Sequence, residues 1–171
     1  MERVRLRWLV EGAVVAALSV IFSYLRLWQM PQGGSITLES LPLLLLALWR
    51  GPRVGMAAGA ISGLLQLVLG GYVVHPVQGV LDYPGAFAML GIAGFLPRPW
   101  WGGFCLGTLG RFCCHVVSGA VFFGSFAPEG SSVWIYSILY NASFTFPSLL
   151  LNLALAALLW PRLRSLSPSS S

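Results

Sequence analysis

The chain has 171 residues, of which 57% are hydrophobic and only 9% are charged. A soluble globular domain carries roughly 25% charged residues, so this composition excludes the soluble classes and indicates an integral membrane protein. The ten basic residues are all arginine and stand at the ends of apolar runs rather than on one face. The net charge of +5 therefore reports membrane topology and excludes a nucleic-acid partner.

Six apolar segments follow one another along the chain, separated by short stretches rich in glycine, proline and charge. The second is about 13 residues long, shorter than the roughly 20 needed to cross hydrocarbon alone, so neighbours must shield it or it must tilt. The segments predict an all-α, integral membrane bundle of six transmembrane helices in one domain, 1–160, followed by a disordered cytoplasmic tail, 161–171. Their approximate bounds are 6–29, 37–49, 53–69, 77–96, 100–123 and 133–160.

The arginines distinguish the two ends of the predicted bundle. One end carries Arg3, Arg5, Arg7, Arg50, Arg53, Arg98, Arg162 and Arg164. The loops of the other end carry Arg26 together with Glu39 and Glu129. Because arginine-rich loops stay in the cytoplasm, both termini are predicted to be cytoplasmic, and the longer, polar and aromatic outer loops are the predicted location of any ligand site.

Small residues predict close helix packing in two segments. Gly51, Gly55, Gly59 and Gly63 recur every four residues in the third segment, which allows neighbouring backbones to approach. Ala13 and Ala17 form a similar patch in the first segment. From pattern alone, the alanine patch is either an internal contact or a docking face for another membrane protein.

Asp82 is the only formally charged residue between Arg53 and Arg98. An ionisable group inside a membrane segment is costly, so it marks a functional site by default. The structural alternative is an ion pair with Arg111, the only predicted intramembrane base, because buried charges are normally paired.

One face of the fifth segment and one face of the sixth carry polar and aromatic groups toward the outer end of the predicted bundle. Together with Asp82 they suit a flat, aromatic cation, because aromatic faces attract cations and a carboxylate neutralises them. There is no GxSxG motif and no Walker loop, and His75 with His115 is a weak metal signal, so no enzyme, cofactor or metal site is predicted. The two faces consist of Arg111, His115, Gly119 and Phe123 in the fifth segment, and Ser137, Asn141, Phe144 and Ser148 in the sixth.

Three blocks give the chain a family resemblance. HPVQGVLDYP (75–84), GRFCCHVVSG (110–119) and Tyr140-Asn141, in this order, resemble the thiamine-specific substrate-binding subunit, or S component, of energy-coupling factor (ECF) transporters. The resemblance runs from about residue 10 to 155. It implies a six-helix bundle in the bacterial plasma membrane that captures thiamine with high affinity from outside and joins a coupling transmembrane subunit and two ATPase subunits.

The resemblance also implies roles for individual residues. Asp82 takes the position of the acidic residue that contacts the cationic vitamin, and Phe123 falls where some members have a stacking tryptophan. Glu39 belongs to a loop resembling the family's lid, and Ala13 and Ala17 match its docking motif. Further pocket positions match Tyr72, Tyr83, His115, Gly119, Tyr136 and Asn141.

Two alternatives stay open at this point. The ligand could be another small vitamin or a thiamine precursor, such as the hydroxymethyl-pyrimidine half, although a neutral ligand has less use for Asp82. The chain could instead be a solitary proton-coupled carrier in which Asp82 and His115 form a relay.

Overall fold

The computed structural model describes residues 2–30 and 33–165. Six helical segments make up this part of the chain, which confirms the predicted all-α class and segment number. Five are single helices, and the fourth, residues 76–95, is composite. The single helices are α1 (Glu2–Tyr24), α2 (Ser40–Arg50), α3 (Pro52–Val68), α6 (Trp100–Phe122) and α7 (Val133–Ser165), and the composite contains α4 (Pro76–Val80) and α5 (Ala86–Leu90).

A small hairpin interrupts the helices after α1. Strands β1 (Trp28–Gln29) and β2 (Ser35–Ile36) pair antiparallel, with Trp28 opposite Ile36. The first helix therefore ends at Tyr24 and not near residue 29, where the apolar run ends. Gly33 has a φ of 99°, a conformation that favours glycine, and this lets the chain return toward α2.

The second helix lies at the centre of the bundle. Every residue from Ser40 to Leu48 is buried, and the helix contacts α1, α3, α5, α6 and α7. Its 11 residues span about 16 Å, too short to cross a membrane alone. The expectation that neighbours shield this segment is confirmed. At its end, Gly51 has a φ of 88° and Pro52 begins α3, so the chain reverses sharply.

The glycine stripe of α3 packs against the fourth segment, as the pattern predicts. A Cβ atom at Gly59 would overlap the carbonyl oxygen of Phe87, and one at Gly63 would lie 2.5 Å from the carbonyl carbon of Tyr83. Larger residues at these positions would push the two segments apart. The stripe therefore fixes the distance of the fourth segment from α3.

The fourth segment contains a wide turn at its polar end. Residues Leu81–Gly85 form a π-helix in which the Ala86 amide donates to the Leu81 carbonyl. Pro84 lacks an amide hydrogen and its ring would crowd the carbonyl four residues earlier in an α-helix, so the wider turn accommodates it. Asp82 and Tyr83 lie in this turn.

Apolar side chains cover the outside of the bundle, including Leu9 at 70% and Leu139 at 65% exposure. Within the described residues, three helices are long and apolar enough to cross a membrane: Leu6–Tyr24, Trp100–Phe122 and Val133–Ser165. Such a surface is stable in contact with lipid and not with water. The chain is accordingly a membrane protein.

The predicted domain boundary at residue 160 needs a correction. Helix α7 continues through Pro161 to Ser165, so the first five residues of the predicted tail are helical. Arg162 and Arg164 lie in the last turn, where positive charge is favourable beside the helix carbonyls. The rest of the predicted tail, 166–171, lies outside the described residues.

Candidate ligand-binding site

A cavity of about 700 Å³ lies at the end of the bundle where α1 ends and α7 begins, opposite the start of α1 and the end of α7. Its volume falls in the usual range for small-molecule sites, about 300–1,000 Å³. All nine residues predicted to bind the ligand line this cavity; their contact with a ligand stays a prediction. They are Glu39, Tyr72, Asp82, Tyr83, His115, Gly119, Phe123, Tyr136 and Asn141.

Three side chains hold the carboxylate of Asp82. Its Oδ1 lies 3.0 Å from Nδ1 of His115. Its Oδ2 accepts hydrogen bonds of 2.7 Å from Nε2 of Gln78 and from the hydroxyl of Ser118. The side chain is only 17% exposed, so these bonds replace water as its solvation.

Arg111 lies on the other side of His115. Its Nε lies 3.1 Å from Nε2 of His115, its Nη1 donates to Ser40 at 2.6 Å, and its Nη2 forms an ion pair with Glu39. The guanidinium carbon also lies 4.2 Å from the ring centre of Phe87. The four ionisable side chains therefore form one row across the cavity wall: Glu39, Arg111, His115 and Asp82.

This row decides against the alternative of an ion pair between Asp82 and Arg111. The partner of Arg111 is Glu39, which the resemblance placed in the lid, and His115 separates the arginine from Asp82. The helical spacing of Arg111 and His115 correctly indicated a shared face. It could not indicate that Glu39, 72 residues earlier, reaches the same face.

Aromatic rings form the cavity walls. Tyr136 and Tyr140 stack at a centroid distance of 6.1 Å, and Tyr140 meets Phe144 edge-on at 5.8 Å. Tyr72 and Phe123, which also line the cavity, stack on each other at 6.3 Å. Such walls suit a planar ligand, and their faces favour a positive charge.

Gly119 and Asn141 lie where α6 meets α7. A Cβ atom at Gly119 would overlap the hydroxyl of Ser137, so the absent side chain brings the two helices together. Gly119 also lines the cavity, so the absent side chain affects both the helix contact and the cavity wall. The Nδ2 of Asn141 donates to the Ser137 carbonyl at 2.9 Å, so this side chain is held by its own helix.

Two loops are fastened to the cavity. The amide of Gly34 donates to the hydroxyl of Tyr140 at 3.1 Å, which ties the hairpin after α1 to α7. The amide of Tyr72 donates to the hydroxyl of Tyr83 at 2.7 Å. Gln78 donates to the Tyr72 carbonyl at 3.1 Å and accepts from the Val74 amide, so it links this loop to Asp82.

The sequence prediction missed Gln78 as a site residue. Gln78 is 2% exposed and stands four residues before Asp82, one helical turn away. The signal was present, because a buried amide one turn from a buried acid is its natural hydrogen-bond partner. Ser118, beside Gly119, was also missed, and no local spacing could have indicated it, because it lies 36 residues from Asp82 on another helix.

The remaining predicted residues lie elsewhere. Ala13 and Ala17 are exposed on α1, whereas Gly12 and Ala16 are buried on its opposite side, next to α3. The alanine patch is thus accessible, and its role in docking stays a prediction. His75 accepts from the Val77 amide and stacks on Phe122 at 5.0 Å, so its contacts differ from those of His115.

A lipid-facing helical bundle with a polar, aromatic-walled cavity at one end defines a membrane protein that binds a small molecule. The profile of a family described as thiamine transporter protein matches residues 9–167. The chain is 37% identical to the thiamine transporter ThiT of Bacillus subtilis, over 91% of this chain and 92% of the relative. It is 28% identical to ThiT of Lacticaseibacillus paracasei, over 88% and 85%.

A solved structure agrees with these relatives. ThiT from Listeria monocytogenes superposes with a TM-score of 0.84 at 26% identity, covering 93% of this chain and 97% of that one. The chain therefore belongs to the thiamine transporter protein family. This confirms the family resemblance and assigns the chain to transport proteins rather than enzymes.

Proposed function

We propose that the chain is the thiamine-binding S component of an ECF transporter in the bacterial plasma membrane, that it binds its vitamin with high affinity, and that both its termini are cytoplasmic. The observation that carries the proposal is Asp82, an acid held only by neutral donors and His115 inside an aromatic cavity, in a chain of this family. The thiazolium of thiamine carries the positive charge that such a site accepts.

The orientation follows from the arginines. The described arginines at the end opposite the cavity include Arg50, Arg53, Arg98 and Arg162, whereas Arg26 and Arg111 line the cavity. The positive-inside rule then directs the cavity outward. Thiamine enters between the outer loops, and the hairpin after α1 closes over it through contacts such as the one from Gly34 to Tyr140.

Within the cavity, the proposed contacts follow the chemistry of the vitamin. Asp82 contacts the thiazolium, and the aromatic walls, including Phe123 and Tyr136, stack on the rings. Asn141 contacts the pyrimidine edge, which both donates and accepts hydrogen bonds. Release requires two ATPases and the coupling transmembrane subunit. The coupling subunit docks on the face of α1 that carries Ala13 and Ala17.

The first experiment compares wild type with Asp82→Asn by isothermal titration calorimetry of detergent-purified protein. Losing a charge-assisted contact in a dry site costs about 1.5–3 kcal/mol, so thiamine affinity should fall about 10- to 150-fold. The neutral hydroxymethyl-pyrimidine half is the control ligand and should lose far less. Calorimetry is preferred to tryptophan fluorescence because the described residues lining the cavity include no tryptophan.

Two outcomes would contradict the proposal. Equal thiamine affinity in the two proteins would show that Asp82 does not contact the thiazolium. Tight binding of the pyrimidine half with weak binding of thiamine would make a precursor the ligand.

One observation favours a second candidate. The 3.0 Å contact between Asp82 and His115 is short enough to pass a proton, as a solitary proton-coupled carrier would need. Uptake into proteoliposomes separates the two functions. The S component needs the coupling subunit and ATP, whereas the carrier would transport thiamine alone when a proton gradient is applied.

A further inference from the structure

The row of four ionisable groups defines where the proton of His115 lies. An arginine side chain has five N–H donors and no acceptor. The Nε of Arg111 lies 3.1 Å from Nε2 of His115, so it can only donate, and Nε2 must offer its lone pair. The ring proton is then on Nδ1, which donates to Oδ1 of Asp82 at 3.0 Å.

The other contacts of Arg111 hold this donor in place. Nη1 is bound to Ser40, Nη2 is paired with Glu39, and the guanidinium lies over Phe87. The side chains of Arg111 and Glu39 are only 14% and 11% exposed. Because Nη1 and Nη2 are both bound, Nε of Arg111 stays directed at His115. In a protonated imidazole, the N–H of Nε2 would point at the N–H of Arg111 Nε.

The formal charges of the row then leave one negative charge. Glu39 and Arg111 cancel, His115 is neutral, and Asp82 is ionised because its three neighbours all donate to it. Arg26, the other arginine lining the cavity, is exposed and bound to Gln29, outside this row. A single excess negative charge matches a ligand that carries one positive charge.

We propose that Arg111 and Glu39 are a positioning pair that fixes His115 as the neutral Nδ1–H tautomer and so keeps the charge of Asp82 free for a monocationic ligand. The identity of that ligand rests on the proposed function; the tautomer does not. If the pair were absent, His115 could take up a proton beside Asp82 and neutralise it internally. The pair thus determines charge selectivity by acting through His115.

Nitrogen NMR of the ligand-free protein tests the tautomer directly. The chain contains two histidines, so ¹⁵N-histidine labelling gives two sets of resonances, and His75→Asn assigns them while retaining a side chain that can cap α4. We expect His115 at neutral pH to show a protonated Nδ1 and an unprotonated Nε2. An imidazolium, or the opposite tautomer, in the wild type would overturn the inference without any further variant.

Two variants separate the tautomer from the charge. The double variant Glu39→Gln/Arg111→Gln removes the pair without changing the net charge. It should allow His115 to become an imidazolium and should weaken thiamine binding about tenfold, the order expected for one unit charge in a partly desolvated site. Glu39→Gln alone should weaken thiamine binding similarly while His115 stays neutral. A double variant with neutral His115 and unchanged affinity would contradict the proposal.

A matched control lies at the other end of α2. Arg50 and Glu11 form a comparable ion pair, with side chains 11% and 19% exposed, and they do not line the cavity. Glu11→Gln/Arg50→Gln should change neither the His115 resonances nor thiamine affinity. If wild type binds no thiamine but shows the expected tautomer, the proposed function fails and the positioning role stands. If wild type binds thiamine but His115 is an imidazolium, the proposed function stands and the positioning role fails.

Discussion

Two ion-pair clusters lie at opposite ends of α2, about 15 Å apart along the helix. Near Arg50, Glu11 accepts two bonds of 2.7 Å from the guanidinium, which lies 4.0 Å from the ring centre of Trp49. Near Ser40, Glu39 pairs with Arg111, which lies 4.2 Å from the ring centre of Phe87. Each cluster is a carboxylate, an arginine and an aromatic ring.

The difference lies in what each pair contacts next. Glu11 also binds Arg7 at 2.9 Å, so that cluster carries an excess positive charge. Arg111 instead contacts His115 and, through it, Asp82, so the other cluster carries an excess negative charge. The same structural unit thus stands at a basic end of the bundle in one place and beside the proposed cation site in the other, and the residue that the arginine or the glutamate contacts next makes the difference.

The largest expected effect concerns the stability of the two clusters. Arg111→Met leaves Glu39 buried, and the described residues include no second cation paired with it. Removing one partner of a buried pair costs about 3 kcal/mol or more. Arg50→Met should cost about 1 kcal/mol, because Arg7 remains as a partner of Glu11, although it is 59% exposed and strongly screened. Thermal unfolding in detergent would measure both, and equal losses would make the clusters equivalent.

A slightly smaller effect should come from the ligand. At a concentration 100 times its dissociation constant, thiamine should stabilise the folded protein by about 2.7 kcal/mol. Wild type and Arg50→Met should gain this protection equally, whereas Asp82→Asn at the same concentration should gain much less. Melting curves recorded with and without thiamine test this. Protection that depended on Arg50 would place the cation site at the wrong end of the bundle.

The smallest expected effect comes from Arg26 at the mouth of the cavity. This exposed arginine repels an approaching cation, so Arg26→Gln should raise the association rate of thiamine on the order of twofold at low salt. The difference should disappear at high salt because exposed charges are screened. Stopped-flow mixing at two ionic strengths measures it. A difference that persists at high salt would show that Arg26 contacts the ligand directly.

Local patterns in the sequence predicted much of the fold. Apolar runs gave the six segments, and the four-residue spacing of Gly55, Gly59 and Gly63 gave the face that packs on the fourth segment. The isolated charge of Asp82 and the spacing of His115 and Gly119 gave residues that line one cavity. These features depend on neighbours within one or two helical turns.

Contacts between distant segments could not be predicted in this way. Periodicity places Arg111 and His115 on one face, but only the packing of α2 against α6 brings Glu39 to that face. Helical spacing places Gly119 one turn from His115, but only the packing of α6 against α7 brings Ser137 against Gly119. The sequence gives no signal for the hairpin after α1, because two-residue strands leave no alternating pattern.

The π-helix at Leu81–Gly85 has an evolutionary consequence. An α-helix turns about 100° per residue, so deleting one residue here would rotate Asp82 relative to Phe87 and Gly91 by about that angle. Phe87 could then not stay packed against Gly59 of α3 while Asp82 stays in the cavity wall. A substitution at position 82 changes one side chain and leaves the register of the helix intact. Insertions and deletions within this turn change the register, so they should be eliminated by selection.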